Sequence, residues 1–144
     1  MNHSRPGRAA SLAVAAALCV LLAACQGSAP AATASASPTP TDARGVLDVY
    51  LRALVAGDCP SGRTLWVSGA HTTGDGDLCG DATVSAYRIG DAATPTPTEA
   101  VYATTLTTGG SRDGSVPTGQ VTWFYTLDQL PDGRWLIHAG GSGP

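Results

Sequence analysis

Residues 71–81, HTTGDGDLCGD, bring together side chains that could bind a metal ion or exchange protons. The candidates within these eleven residues are His71, Asp75, Asp77 and Asp81. A calcium loop between two helices needs oxygen ligands at positions 1, 3 and 5 and a glutamate at position 12. Counted from Asp75, position 5 is Cys79 and position 12 is Ala86, so the spacing does not match. A solvated acidic loop is the favoured interpretation, and an irregular calcium site stays open as the alternative.

Aromatic side chains are the second group that could bind a ligand. In the C-terminal part of the chain they are Trp66, Tyr87, Tyr102, Trp123, Phe124, Tyr125 and Trp135. Alternation along a strand places Trp123 and Tyr125 on one face and Phe124 on the other. Such residues form either a core, an aromatic-lined pocket or a sheet face that contacts a partner. Trp123 and Tyr125 are therefore candidate ligand-binding residues.

No known catalytic spacing accompanies these groups. The chain lacks the GxSxG, HExxH, P-loop and dinucleotide-binding glycine patterns. No serine is spaced from a histidine in a way that links a nucleophile to a base. The sequence therefore predicts no catalytic residue, no bound metal and no cofactor.

Four predicted strands must position the aromatic residues. Their period-2 segments are ATVSAYRI, EAVYATTLTT, QVTWFYTLDQL and RWLIHA, and turn residues separate them. Pro131-Asp132-Gly133 predicts a tight hairpin, whereas residues 94–98 and 109–119 predict long exposed connections. Successive hairpins imply an antiparallel sheet with one face covered by helices.

Two predicted helices precede the strands. Apolar residues recur at helical spacing at Val46, Leu47, Tyr50, Leu51, Leu54 and Val55. Thr41 or Asp42 can cap this helix and Gly57 can end it. Asp58 can cap a second, shorter helix that presents Leu65 and Trp66. Helices followed by four strands predict an α+β domain over residues 42–144.

The opening VYLRALVAGDC and the closing WFYTLDQLPDGRWLIHAGGSGP resemble the nuclear-transport-factor-like, or cystatin-like, cone fold of many actinobacterial lipoproteins. The resemblance implies helices packed on a curved four-stranded sheet. Enzymes of this fold place carboxylates, His or Tyr in the apolar interior, and Arg88, Glu99, Asp128 and His138 are the charged or titrating strand residues here. His138 is the best of these candidates for ligand binding or catalysis, although a single strand histidine is more often a rim residue. Members of the family include enzymes, small-ligand binders and interaction modules, so the fold does not decide the function.

The N-terminus has the layout of an export signal. Arg5 and Arg8 precede residues 9–24, which carry no charge. Sixteen helical residues span about 24 Å, less than the ~30 Å hydrocarbon core, so a permanent transmembrane helix is the weaker alternative.

The segment Leu22-Ala23-Ala24-Cys25 resembles the lipobox of bacterial lipoproteins. The resemblance implies that residues 1–24 are removed and that Cys25 receives diacylglycerol, whose two acyl chains, such as palmitate, anchor a protein stably. Ordinary signal cleavage with a free Cys25 stays open as the alternative. Residues 26–41 hold only Gln, Gly, Ser, Ala, Pro and Thr and predict a disordered tether that could carry sugar.

Cys59 and Cys79 remain once Cys19 has left with the signal and Cys25 is lipidated. In an exported chain this pair predicts a disulfide, and a metal site is the poorer alternative because no CxxC pair is present.

The mature chain has six arginines, no lysine and eleven acidic residues, a net charge of −5. Such a domain is a poor candidate for nucleic acid. We therefore expect a non-catalytic, lipid-anchored domain on the extracellular face of the cell membrane that binds an envelope protein or a small apolar ligand. The alternative is a small cone-fold enzyme, of isomerase or hydrolase type, acting on an apolar molecule.

Overall fold

The computed structural model describes residues 40–70 and 76–143. The predicted signal peptide, Cys25, nearly all of the predicted tether, His71 and Asp75 lie outside these residues. Within them, no helix has both the length and the apolar character that a membrane span requires.

Helix α1 spans Ala43–Ala56 and matches the prediction at both ends. The Asp42 carboxylate accepts a hydrogen bond from the Gly45 backbone N–H at 2.8 Å, which caps the start. Gly57 ends the helix at φ 72°, a left-handed conformation that glycine adopts without strain. The apolar stripe is buried except for Val55, which is 39% exposed.

Helix α2 spans Cys59–Arg63 and is capped by Asp58, whose side chain accepts from Ser61 N at 3.2 Å. It ends before Leu65 and Trp66, so their predicted helical placement was wrong. Residues 65–67 instead pair with the last strand through Val67 N to Ile137 O and Ile137 N to Leu65 O, both 2.8 Å. This pairing satisfies the backbone beside Trp66, which is buried.

Four antiparallel strands form one sheet in the order β1-β2-β3-β4. They are β1 Ala82–Thr96, β2 Glu99–Ser111, β3 Thr118–Gln129 and β4 Trp135–Gly141. With α1 packed on the sheet, the α+β class predicted from the sequence is confirmed.

Two connections are shorter than predicted. Strand β1 continues to Thr96, which pairs with Glu99, so only Pro97 and Thr98 form the first turn. Strand β2 continues to Ser111, and its loop folds back because Ser111 N donates to Val116 O at 2.9 Å. The two connections were therefore predicted too long, although they are exposed as expected, at Pro97, Thr98 and residues 112–115. Proline and threonine did not end β1 because β1 is an edge strand, where a missing N–H is tolerated.

Bulges or contacts with other segments cover both edges of the sheet. The register of β1 against β2 shifts at four places, and such bulges bend an edge strand. The Arg44 guanidinium donates to the backbone oxygens of Ile89 at 3.1 Å and Gly90 at 2.9 Å. Residues 65–67 pair with the other edge, at β4. These features reduce the free backbone groups available to another strand.

The sheet has two unlike faces. Alternate residues of β2, from Ala100 to Thr108, are buried beneath the helices, and the residues between them point away. We call the side that points away the outer face, and cross-strand pairing assigns to it Arg88, Glu99, Val101, Ala103, Thr105, Thr107, Thr122, Phe124, Thr126, Asp128, Leu136 and His138.

Candidate functional site

Three aromatic rings fill the space between the helices and the inner face of the sheet. Tyr50 of α1 contacts Trp66 and Tyr125 with ring centroids 5.6 and 5.5 Å apart, and Trp66 lies 6.5 Å from Tyr125. All three contacts have edge-to-face geometry, which aromatic pairs prefer. Tyr50 and Tyr125 are fully buried. The interior, for which the sequence left both a core and an aromatic-lined pocket open, is therefore occupied by side chains.

Asp77 is the buried polar centre beside these rings, with an exposure of 2%. Its Oδ1 accepts hydrogen bonds from the Tyr50 hydroxyl at 2.9 Å and from the Cys79 backbone N–H at 3.0 Å. Its Oδ2 accepts from Arg63 Nε at 2.8 Å. A buried carboxylate is tolerated when donors of this kind and one opposite charge surround it. We call Tyr50, Arg63, Asp77 and the Cys79 N–H the Asp77 cluster.

A disulfide brings the members of the Asp77 cluster together. Cys59 and Cys79 are bonded, with their Cα atoms 5.4 Å apart, as the cysteine pattern predicted. Arg63 lies one helical turn after Cys59, and its Nη2 also donates to the Cys79 backbone oxygen at 2.8 Å. The covalent and polar links together hold the segment around Asp77 against α2.

The tyrosines of the interior are held in their neutral form. Burial raises the pKa of Tyr50 well above its ordinary value, and the neighbouring Tyr125 and Asp77 raise it further. Burial likewise raises the pKa of Tyr125. The hydrogen bond to Asp77 raises the pKa of Arg63, so that guanidinium stays charged. At neutral pH the Tyr50 hydroxyl therefore donates a proton to a hydrogen bond but does not ionise.

The segment that carries Asp77 approaches β4 very closely. A Cβ atom on Gly76, which has φ 87°, would lie 1.9 Å from the Gly140 backbone oxygen. Only glycine fits at this contact. The indole nitrogens of Trp66 and Trp123 and the Tyr125 hydroxyl are buried nearby in the core with no hydrogen-bond partner in the part of the chain that the structure describes.

The three residues predicted to bind a ligand are separated by the sheet. Tyr125 is fully buried on the inner face, and Trp123 is partly buried beside it. His138 lies on the outer face, where its Nδ1 is 2.9 Å from Asp128 Oδ2. The three side chains do not line one cavity, so a shared ligand site at these residues stays a prediction without a geometric basis.

Asp77 and Asp81, the acidic residues of the segment 71–81 that the structure describes, have different surroundings. Both oxygens of Asp77 accept hydrogen bonds from the protein, and Asp81 lies exposed after the bridge at Cys79. Among residues 40–70 and 76–143, no group of three or more His, Cys, Asp or Glu side chains could hold a metal ion. His71 and Asp75 fall outside the described residues, so the irregular calcium site stays untested.

Two surface clefts lie away from the filled interior. One, of about 520 Å³, lies beside the disulfide and is bordered by Val55 and Arg112. The other, of about 470 Å³, lies between the start of α1 and β1 and is bordered by Arg44 and Tyr87. Both are open to solvent. They offer contact surfaces and not enclosed binding cavities.

Sequence reasoning missed the Asp77 cluster. Asp77 was considered only as a possible calcium ligand, Tyr50 only as a core residue, and Arg63 not at all. One signal was present: Arg63 follows Cys59 by four residues and Asp77 precedes Cys79 by two, so a disulfide brings their charges close. No protein-family model matches the chain, and no curated protein matches it significantly.

Proposed function

We propose that this protein is an exported lipoprotein, anchored by lipid on Cys25 to the outer surface of the cell membrane, and that its domain is a non-catalytic binding module. The lipobox resemblance and the uncharged run of residues 9–24 support the anchor. The Cys59–Cys79 disulfide supports export, because such bonds persist in oxidising compartments. The helix order and the four-stranded meander are compatible with a nuclear-transport-factor-like domain.

The filled interior is the observation that carries the proposal of a binding module. Tyr50, Trp66 and Tyr125 occupy the space beneath the sheet, and the buried carboxylate already has its donors. A partner must then bind to the surface of the domain. Open surfaces bind proteins more often than small apolar molecules, because small molecules need concave sites. An envelope protein is therefore the favoured partner class.

A labelling experiment tests the anchor. Cells expressing the full chain are grown with a clickable palmitate analogue, and the Cys25→Ala variant is the matched control. We expect label on the wild type and none on the variant, with the wild type in the membrane fraction. Equal labelling of both would contradict the lipoprotein assignment.

A small cone-fold enzyme is the second candidate, and the Asp77 cluster is the observation that favours it. A buried carboxylate beside tyrosines of raised pKa occurs in acid–base sites. Catalysis would require a substrate to reach Asp77, whose side chain is 1% exposed.

An apolar fluorescent probe separates the two candidates. We expect 1-anilinonaphthalene-8-sulfonate to show no saturable binding to the folded wild type. Leu127→Ala, which opens the interior, is the positive control and should bind the probe. Saturable binding to the wild type with quenching of its tryptophan fluorescence would favour the enzyme.

A further inference from the structure

The outer face carries opposite charges at its two ends. Arg88 lies opposite Thr105 on β2, whereas Glu99 lies opposite Asp128 on β3. Thr105 and Glu99 are six residues apart on one strand, which corresponds to about 20 Å. Neither Arg88 nor Glu99 forms an ion pair within residues 40–70 and 76–143. Asp128 pairs with His138.

The middle of the outer face is uncharged on β2 and β3. Phe124 lies opposite Ala103, and its neighbours are small residues such as Val101, Thr122 and Thr126. Phe124 is partly exposed, although Trp123 and Tyr125 on either side of it pack into the core. A large aromatic side chain at the centre of a neutral patch is typical of a contact surface.

We propose that the outer face binds the outer face of a second copy of this chain. A two-fold axis that crosses the strands near Phe124 reverses the strand direction between the copies. Arg88 of each copy then lies close to Glu99 of the other, on the neighbouring strand, with Asp128 one strand further away, and the two Phe124 rings meet near the axis. An isologous contact of this kind needs a self-complementary surface, and the charge order of the outer face provides one. Two sheets packed with a modest crossing angle permit this arrangement.

The size of the outer face makes this contact weak in dilute solution. The patch measures about 25 Å by 15 Å, less than the ~800 Å² that each partner buries in a stable complex. Exposed charge pairs add little energy and weaken as salt is added. Confinement to a membrane raises the effective concentration and compensates for a weak contact. The pairing therefore rests on the proposed anchoring, and it names the partner for the proposed binding module.

Photo-crosslinking in cells tests the second copy directly. Phe124→p-benzoylphenylalanine is introduced into the full lipidated chain, which is coexpressed in two differently tagged forms. We expect an adduct that carries both tags. Val55→p-benzoylphenylalanine, on the exposed side of α1, is the matched control and should give no such adduct. An equal two-tag adduct at position 55, or no two-tag adduct at position 124, would overturn the pairing.

Charge reversal tests the geometry. Arg88→Glu should reduce the two-tag adduct about tenfold, because two attractive contacts become repulsive. Adding Glu99→Arg to the same chain should restore part of it, because positions 88 and 99 then attract each other again while Asp128 stays repulsive. Failure of that restoration, in variants that still form the Cys59–Cys79 disulfide, would overturn the arrangement. If Phe124 crosslinks only to a different envelope protein, the proposed pairing of two copies is wrong, but the proposed binding module still stands. Loss of palmitate labelling would contradict only the proposed lipid anchor.

Discussion

The two faces of the sheet use the same strands for different purposes. On β3, Tyr125 is fully buried against Tyr50 and Trp66, while the adjacent Phe124 is partly exposed among threonines and alanine. Beside the inner face, the Asp77 carboxylate of the segment before β1 is surrounded by donors, whereas the charges of the outer face lie near solvent. Neighbouring residues of similar size therefore differ in role: the inner residues stabilise the fold, and the outer ones are available for contact.

The largest difference is expected between Tyr125→Ala and Phe124→Ala. Tyr125→Ala removes a fully buried ring and should lower the free energy of unfolding by about 3–5 kcal/mol. Phe124→Ala should lower it by only about 1–2 kcal/mol, because that ring is partly exposed on the outer face. Urea unfolding followed by tryptophan fluorescence measures both. Equal losses would show that the outer face is part of the core.

Asp77 and Asp128 allow the stabilising effect of a buried carboxylate to be compared with that of an exposed one. Asp77→Ala leaves the buried Tyr50 hydroxyl and the Arg63 guanidinium without an acceptor, so we expect a loss of about 3 kcal/mol in the free energy of unfolding. Asp128→Ala breaks an exposed pair with His138 and should cost under about 1 kcal/mol. Thermal melting of the two variants checks this order, and a reversed order would contradict the structural role of Asp77.

The disulfide between Cys59 and Cys79 lies on the helix side of the sheet, so its removal tests the stability of the inner side. Cys59→Ala combined with Cys79→Ala opens a loop of about 21 residues and should lower the free energy of unfolding by about 3 kcal/mol in the chain-entropy estimate. The variant should still fold, because Arg63 and Tyr50 continue to bind Asp77. Reduction of the wild type should give the same loss. An unchanged stability after confirmed reduction would show that the bond adds nothing to the polar links.

Tyrosine ionisation has no effect on stability near neutral pH, and alkaline titration separates the buried tyrosines from the marginal Tyr87. Burial and then the hydrogen bond to Asp48 raise the pKa of Tyr87 to about 12, and burial raises the pKa of Tyr50 and Tyr125. The folded state then holds these protons more tightly than the unfolded chain, whose tyrosines ionise near pH 10. Stability should be unaffected by tyrosine below pH 10 and should fall as the pH rises towards 12. Absorbance at 295 nm should show Tyr87 ionising before unfolding exposes the other two.

The sequence predicted the regular elements and missed the tertiary polar contacts. The caps Asp42 and Gly57 and the alternation of β3 follow local rules, so α1 and the strands could be identified. The pairing of residues 65–67 with Ile137 depends on a contact across the chain, and local spacing carries no sign of it. The same applies to the Asp77 cluster, whose members come from three separate segments. The separation of His138 from Tyr125 followed from strand alternation only once the register was known.

The modified edges of the sheet limit how such molecules can assemble. Amyloid-like fibrils grow when each added molecule pairs a strand with a free edge of the sheet. Here bulges and Arg44 occupy one edge, and residues 65–67 occupy the other. The pairing proposed for the outer face would therefore end at closed pairs instead of polymerising.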